Sequence, residues 1–216
     1  DAARGLGVNR RDWRSSPMKV KADIENRLTY PIFVKPANLG SSIGISKVHN
    51  ASTLAAPLDL PAAYESKIVV EAAVPEAREI ECAVLGNEKP ETSVAGEILP
   101  SREFCDYECK YLGSASSFEI PAKLTDADAH KVARWSVSAF EAIDGSGLAR
   151  VDFLLSRTTG ELYINEINSL PGFTTISMYP KMWEASGVAY QTLVDRLITL
   201  ALERHASKQE SKTSAF

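Results

Sequence analysis

The chain has 216 residues, a formal net charge of -4, and 44% hydrophobic residues. This length and hydrophobic content allow one or two domains with a substantial core, and the acidic balance argues against a general nucleic-acid-binding protein. No apolar run reaches membrane-spanning length, so we expect neither nucleic acid nor membrane among the partners.

The cysteines and the first residues bear on the compartment in which the protein works. Residues 1–7 lack the apolar core of a signal peptide. Cys82, Cys105 and Cys109 are odd in number and lack metal-ligand spacing, and the three histidines are scattered, which gives no zinc site. We therefore expect a protein of the reducing cytoplasm.

The first third of the chain predicts a strand, a glycine-rich loop and a second strand. Residues 2–7 look like the end of a helix, and residues 17–27 predict a short helix. Residues 30–35 predict a strand that ends on Lys35. The loop that follows contains Gly40 and Gly44, and its backbone N–H groups are suited to wrapping phosphate oxygens beside the Lys35 charge.

Two other interpretations of this loop stay open. Residues 40–44, Gly-Ser-Ser-Ile-Gly, match the nucleophile elbow of serine hydrolases. That elbow requires a helix directly after it, whereas residues 45–48 favour a strand. The loop is also compatible with a plain glycine hairpin turn. It is not a Walker A loop, because Gly-Lys-Ser/Thr is missing.

The middle of the chain predicts three strands and a long polar loop. Strands at residues 67–71 and 78–85 place Glu71 and Glu79 near strand ends, where they are either solvated edge charges or contacts for sugar hydroxyls or a second cation. Residues 91–99 predict another strand. Residues 101–117 are polar with several aromatics, a length and composition typical of a functional lid.

Two helices are predicted in the second half of the chain. Thr125 and Asp128 resemble a capping box that opens an amphipathic helix to about residue 143. We expect this helix to bury Ala133, Val137 and Phe140. A last helix over residues 190–204 should largely bury four leucines, Leu193, Leu197, Leu200 and Leu202, and residues 206–216 are predicted to be a disordered tail.

Residues 148–168 predict a β-hairpin with charges where an ordinary strand buries apolar residues. If the turn centres on Thr159, Asp152 lies opposite Glu166 and Arg150 lies opposite Asn168, all on one face. Carboxylate and amide oxygens suit Mg²⁺, and the arginine is placed to stabilise developing negative charge. The alternative is a surface hairpin with a salt-bridged polar face.

Three motifs resemble the D-alanine–D-alanine ligases, which belong to the ATP-grasp superfamily. They are the strand and loop of residues 34–47, residues 106–111 in the polar loop, and residues 147–155 together with 165–180. The resemblance runs from about residue 13 to about residue 205. It implies an α+β, ATP-grasp fold with antiparallel sheets and flanking helices in two lobes that clasp ATP.

The resemblance also implies an activity. These ligases join two D-alanines with ATP for peptidoglycan, the cell-wall polymer. The first D-alanine carboxylate attacks the γ-phosphate to give an acyl phosphate, and the amine of the second D-alanine then displaces phosphate. Both steps concentrate negative charge, so we expect two Mg²⁺ or Mn²⁺ ions beside ATP. The family further suggests a homodimer.

The family motifs assign roles to individual residues. Asp152, Glu166 and Asn168 match the metal ligands, in agreement with the face derived from the alternation. Arg150 and the Gly172 backbone N–H match the groups that hold the tetrahedral intermediate. The nucleotide-binding residues implied are Lys35, Gly40, Ser41, Ser42, Glu71, Ala73, Val74, Glu79, Phe104, Lys110 and Leu154.

Further matches concern the lid and the substrates. Ser41 and Tyr111 match a catalytic pair that links the phosphate loop to the lid. Ser177 and Met178 match positions that meet the second D-alanine, alongside Arg150 and Gly172. The pair of Lys110 and Tyr111 goes, within the family, with D-alanine rather than D-lactate or D-serine as the second substrate.

Two departures from the family pattern qualify this assignment. Cys105 replaces a tyrosine that the family usually carries beside Asp106. The family's N-terminal glutamate for the first D-alanine, and an earlier phosphate-binding lysine, have no counterpart. We therefore predict a partial central lobe over residues 1–75 and a C-terminal lobe over residues 76–205. We expect the 216 residues alone to bind nucleotide weakly and not to turn over.

Two other function classes compete with the leading one. The first is another ATP-grasp carboxylate–amine ligase, including one that makes D-lactate or D-serine ends. The second is a non-catalytic nucleotide-binding module that kept the fold. The intact set of Arg150, Asp152, Glu166 and Asn168 argues against the second, because such a charge cluster is costly to keep without a function.

Overall fold

The computed structural model describes residues 2–39, 44–99, 117–174 and 176–210. The chain divides into two compact units, and the division falls after Glu76. Each unit is built on one antiparallel sheet with helices packed against it. The predicted mixture of helices and antiparallel sheets is thus confirmed.

The first unit has a four-stranded sheet in the order β1-β4-β2-β3, with every neighbour antiparallel. Its strands are β1 (Gly5–Asn9), β2 (Ile32–Pro36), β3 (Ser46–Val48) and β4 (Lys67–Ala72). Its helices are α1 (Arg10–Ser15), α2 (Pro17–Arg27) and α3 (Ala55–Tyr64), with a 3₁₀ turn at Ala51–Thr53.

Alternation along β2 and β4 separates a core face from a polar face. The core residues are fully buried, and they pack against the helices: Ile32, Val34, Ile68 and Val70 from the sheet, with Ile24 from α2 and Leu58 from α3. The opposite face carries Phe33, Lys35 and Glu71, because successive side chains of a strand point to opposite sides. The polar side chains that the sequence singled out therefore share one face.

The start of the chain differs from its prediction. Gly5–Asn9 is a strand, not the end of a helix, and it pairs with β4 over five residues. Pairing with β4 gives the backbone N–H and C=O groups of this segment their hydrogen-bond partners. A short segment that contains glycine has little intrinsic tendency to form a helix instead. The helix predicted over residues 17–27 is confirmed as α2. The glycine loop is followed by strand β3, so the nucleophile-elbow alternative, which needs a helix there, is wrong.

The second unit has a six-stranded sheet in the order β10-β9-β5-β7-β8, with β6 beside β5. Its strands are β5 (Ala77–Gly86), β6 (Glu91–Thr92), β7 (Gly96–Leu99), β8 (Ser117–Glu119), β9 (Gly147–Ser156) and β10 (Leu162–Asn168). Its helices are α4 (Asp126–Ala142), α5 (Met178–Ala185) and α6 (Tyr190–Glu210). The single strand predicted over residues 91–99 is thus two strands.

Helix α4 covers one face of this sheet. Thr125 caps it, since its Oγ1 accepts a hydrogen bond from the Asp128 N–H at 3.1 Å, as the capping box predicted. Phe140 is buried as expected, but Ala133 and Val137 are only half-buried. The buried stripe is instead Val132, Ser136, Ala139 and Phe140. It packs on the apolar residues of β5 and β9, among them Ile80, Val84, Val151 and Phe153.

Helices α5 and α6 cover part of the opposite face. Ala83, Leu85 and Leu148 pack there against four helix residues, Tyr179, Met182, Trp183 and Leu193. Helix α5 was not predicted from the sequence. Pro180 is its third residue, and proline is tolerated in the first turn of a helix. The rest of this face, toward the start of β5, carries charged side chains instead.

The last helix is longer than predicted. It extends to Glu210, so residues 206–210 are helical and the predicted tail is wrong there. Leu193 is fully buried, whereas Leu202 is 66% exposed, because a helix at the edge of a unit buries only one stripe. Within the described ranges, no helix is both long enough and apolar enough to span a membrane.

The ion pair between Arg78 and Glu97 generates a stability prediction. Glu97 accepts two hydrogen bonds from the Arg78 guanidinium, at 2.9 and 2.5 Å, and its side chain is only 3% exposed. Glu97→Gln leaves the arginine without its countercharge in a buried place. We expect the free energy of unfolding, measured by urea denaturation, to fall by about 3 kcal/mol.

Glu91→Gln is the matched control for this substitution. Glu91 also pairs with an arginine, Arg196, but its side chain is 53% exposed. An exposed pair contributes less than about 1 kcal/mol, so this variant should unfold almost as the wild type does. Equal losses in the two variants would contradict the interpretation that burial makes the Glu97 pair important.

Candidate active site

The β9–β10 hairpin brings the predicted polar residues together. Glu166 pairs with Asp152 and Asn168 pairs with Arg150, as the alternation predicted. All four side chains lie on the face of the second sheet that α5 and α6 leave partly uncovered. The predicted pairing is thus confirmed at these four residues.

The hairpin reaches this pairing through a β-bulge. Nearer the loop, Ile164 pairs with Phe153, so Asn165 is an extra residue before Glu166 meets Asp152. In a continuous ladder Asn165 would lie opposite Asp152, and Glu166 would point to the other face. The inserted residue therefore brings Glu166 to the polar face.

Hydrogen bonds link the four side chains into one cluster. The Arg150 guanidinium donates to both oxygens of Asp152, from Nε to Oδ1 and from Nη2 to Oδ2, each at 2.6 Å. The Asn168 Nδ2 donates to Asp152 Oδ2 at 2.9 Å and to Glu166 Oε1 at 3.3 Å. Asp152 is only 9% exposed, whereas Glu166 is exposed, so the cluster extends from the buried surface of the sheet to solvent.

A fifth residue, Glu81, belongs to this cluster and was not identified from the sequence. It lies on β5 directly opposite Asp152, is 4% exposed, and places Oε2 3.2 Å from Arg150 Nε. The sequence feature that could have identified Glu81 is its position two residues after Glu79, which places both side chains on the same face of the strand. Its neighbour across the sheet depends on the β5–β9 register, which no local pattern gives.

The carboxylates around Arg150 control its protonation. Burial by itself lowers the pKa of the guanidinium. The hydrogen bonds to Asp152, and the negative charges of Asp152, Glu81 and Glu166, outweigh burial and raise this pKa above its usual value. Arg150 is therefore a permanent positive charge in the cluster.

The charges and donors of the cluster fit a divalent cation. Glu81, Asp152 and Glu166 supply three carboxylates against one guanidinium, an excess of two negative charges when all are ionised. Asp152 Oδ2 and Glu166 Oε1 both lie within hydrogen-bond distance of Asn168 Nδ2, and a half-turn of this amide would bring its oxygen to the same point. Oxygen donors of this kind suit Mg²⁺ or Mn²⁺.

This candidate cation site is not a cluster of carboxylates and histidines alone. Among the residues that the structure describes, no group of three or more His, Cys, Asp and Glu is arranged to hold a metal ion. The set predicted from the sequence consists of two carboxylates, Asp152 and Glu166, and one amide, Asn168.

The turn after β10 places Gly172 and Ser177 side by side. A Cβ on Gly172 would lie 2.9 Å from Ser177 Oγ, so only glycine fits without displacing the serine. Ser177 Oγ also accepts a hydrogen bond from the Thr174 N–H at 3.0 Å. Met178 differs from these two, since its side chain is 5% exposed and packs in the core with Tyr179.

In the first unit, Lys35 and Glu71 form a salt bridge. The Lys35 Nζ lies 2.7 Å from Glu71 Oε2, on the polar face of the first sheet. Ala73 and Val74 follow β4, and the Ala73 N–H donates to the Pro31 carbonyl at 3.0 Å. The four residues expected to meet the nucleotide here thus occur together around the end of β4.

In the second unit, Glu79 and Leu154 are direct cross-strand partners on β5 and β9. They lie on the same face as Asp152, two residues along each strand from the Glu81–Asp152 pair. The other predicted nucleotide and lid residues lie outside the described residues: Gly40, Ser41, Ser42, Phe104, Lys110 and Tyr111.

Comparison with known proteins gives a consistent assignment. The family model described as D-ala D-ala ligase C-terminus matches residues 3–199. A D-alanine–D-alanine ligase from Thermoanaerobacter sp. (strain X514) is 56% identical over 190 residues, covering 88% of this chain and 52% of that protein. One from Heliobacterium modesticaldum is 51% identical over 208 residues, covering 96% of this chain and 57% of that protein.

Solved structures agree. The D-alanine-D-alanine ligase from Coxiella burnetii has a TM-score of 0.81 and 33% identity, over 97% of this chain and 54% of that one. The VanG D-Ala:D-Ser ligase from Enterococcus faecalis has the same TM-score and identity, over 93% of this chain and 57% of that one. This chain spans about half the length of the curated relatives it matches.

The predicted fold class is therefore confirmed as ATP-grasp. The polar cluster on β9 and β10 lies inside the matched residues. With the family model covering most of the chain, the protein belongs to the D-alanine–D-alanine ligase family, of which this chain represents the C-terminal part.

Proposed function

We propose that this chain carries the nucleotide- and metal-binding part of an ATP-dependent ligase that joins two D-alanines into D-alanyl-D-alanine. The observation that carries the proposal is the cluster of Arg150, Asp152, Glu166 and Asn168, found complete in a chain of this family. The product would serve peptidoglycan synthesis. We place the reaction in the cytoplasm, where ATP is available, and propose a homodimer.

The reaction would proceed in two steps. The first D-alanine carboxylate attacks the γ-phosphorus of ATP, which gives an acyl phosphate and ADP. The amine of the second D-alanine attacks the acyl carbon, loses a proton and expels phosphate. In both steps negative charge develops beside positively charged groups that are already in place. Such preorganised charges are usually the largest source of transition-state stabilisation.

Asp152, Glu166 and Asn168 would hold two Mg²⁺ or Mn²⁺ ions. Bound there, the metal ions would supply positive charge that offsets the negative charge of the transferred phosphoryl group. Arg150 remains protonated at any working pH, so it would bind the oxyanion of the tetrahedral intermediate together with the Gly172 N–H. Ser177, held beside Gly172, and Met178, through its backbone, would border the substrate.

Lys35 and Glu71 would bind the nucleotide from the first unit. An ammonium such as that of Lys35 binds phosphate as a point charge, and Glu71 and Glu79 accept hydrogen bonds from ribose hydroxyls or the adenine amine. Ala73, Val74 and Leu154 add apolar contacts. We assign the phosphate-loop and lid roles to Gly40, Ser41, Ser42, Phe104, Lys110 and Tyr111 from the family resemblance alone.

Two related activities compete with this proposal. The VanG relative is a D-Ala:D-Ser ligase, so D-serine, like D-lactate, is a candidate second substrate. The relatives that are 56% and 51% identical to this chain over the aligned residues are D-alanine–D-alanine ligases. This favours D-alanine as the second substrate. A non-catalytic nucleotide-binding module is the third candidate.

The first prediction concerns the reaction itself. We expect the full-length protein to release phosphate from ATP only when both D-alanine and Mg²⁺ are present, with D-alanyl-D-alanine as the product by mass spectrometry. Replacing half of the D-alanine by D-serine or D-lactate tests the second substrate. A mixed product as the main species would move the assignment to a related ligase, and no release with any acceptor would favour the non-catalytic module.

The second prediction concerns the metal ligands. Glu166→Gln removes one carboxylate from the cluster but keeps its size, so we expect kcat to fall roughly 10²-fold or more. Mn²⁺ affinity, measured by electron paramagnetic resonance with ADP bound, should fall as well.

Glu161→Gln, at the other end of the same hairpin, is the matched control for this prediction. Glu161 is exposed, and its carboxylate accepts hydrogen bonds from the Thr159 and Tyr163 hydroxyls. It should leave both quantities within about twofold, since surface substitutions of this kind have small effects. Similar losses in the two variants would show that hairpin stability, not metal binding, explains the result.

A further inference from the structure

Glu81 occupies a position that fold stability does not explain. It lies on the central strand β5, 4% exposed, between Asp152 on β9 and Gly96 on β7. Burying a carboxylate directly opposite another carboxylate is costly. An apolar residue of similar size at such a place is commonly neutral or stabilising, so the charge itself needs a reason.

The reason lies in how Arg150 and Asp152 share their contacts. The guanidinium engages both oxygens of Asp152 at 2.6 Å, and Asn168 adds a third donor to Oδ2 at 2.9 Å. A cation that binds Asp152 must approach a carboxylate already covered by a positive group, and like charges at this distance repel. Metal binding therefore requires Arg150 to give up part of its contact with Asp152.

Arg150 must nevertheless stay in place to meet the substrate. Glu81 is a second carboxylate in contact with the same guanidinium, with Oε2 3.2 Å from Nε. It comes from a different strand, so it can retain Arg150 while Asp152 turns toward the cation. Its fixed backbone on the central strand suits it to this task, since functional groups are held best by regular elements.

We propose that Glu81 is a positioning residue that holds Arg150 by direct contact and thereby frees Asp152 for the metal ion. The inference deepens the proposed function, on which it rests, by naming the group that allows the arginine and the metal ion to act side by side. It differs from a structural role, because it ties Glu81 to metal affinity rather than to folding.

Two substitutions in the full-length protein separate contact from charge. Glu81→Gln removes the charge, and Glu81→Asp keeps the charge but shortens the side chain so that it no longer reaches Arg150 Nε. The readout is Mn²⁺ binding in the presence of ADP, by electron paramagnetic resonance. We expect both variants to bind Mn²⁺ about 10- to 100-fold more weakly, the range typical of groups that orient metal ligands.

Thermal unfolding of the same variants tests the structural alternative. Glu81→Gln leaves Arg150 paired with Asp152, so we expect its unfolding midpoint to stay equal to that of the wild type or to rise. Glu91→Gln, an exposed substitution on neighbouring β6, is the matched control and should change neither readout. A lower midpoint with unchanged Mn²⁺ affinity would overturn the proposal.

Other outcomes are equally decisive. If Glu81→Asp binds Mn²⁺ as the wild type does while Glu81→Gln does not, Glu81 acts only as a distant charge and the contact with Arg150 is irrelevant. If the wild type binds no Mn²⁺ with ADP, the Glu81 proposal falls. If the wild type binds Mn²⁺ but forms no D-alanyl dipeptide, the ligase assignment fails while the Mn²⁺ shifts still decide the role of Glu81.

Discussion

Three carboxylates, Glu81, Asp152 and Glu166, surround the single guanidinium of Arg150 on one face of the second sheet. Burying like charges together costs free energy that neighbouring contacts must offset. The offset comes from the large apolar core that α4 builds on the other face of the same sheet, and from the core that α5 and α6 build beside the cluster. The two cores enclose the central strands, so the charged groups are fixed by backbone pairing rather than by mobile loops.

The first unit follows a similar plan with a smaller sheet. Its Ile and Val residues pack against α2 and α3, while Lys35 and Glu71 pair on the opposite face. An anion that binds Lys35 would take the place of the Glu71 carboxylate as its negatively charged partner. The Lys35 ammonium therefore always has a countercharge beside it. In both units, a sheet with one apolar face and one partly polar face holds charges at defined spacing.

The sequence predicted well those features whose signals lie close together in the chain. The capping box at Thr125, the helix that begins at Pro17 and the Asp152–Glu166 pairing each depend on fewer than about twenty residues, within the reach of pattern arguments. Glu81 was missed because its neighbour Asp152 follows from a register between strands far apart in sequence. Strand β1 and helix α5 were missed because tertiary pairing and packing outweighed weak local signals.

The bulge at Asn165 shows how the core and the site constrain each other within one strand. Leu162, Ile164, Glu166 and Asn168 are separated by two residues each, so an unbroken strand would place all four on the same face. Two of them, Leu162 and Ile164, lie with the core under α4, while Glu166 and Asn168 face the polar cluster. The extra residue moves the second pair to the opposite face, and Ile167 then returns to the core. The bulge thus lets one short strand close the hydrophobic core at its start and place Glu166 and Asn168 in the polar cluster at its end.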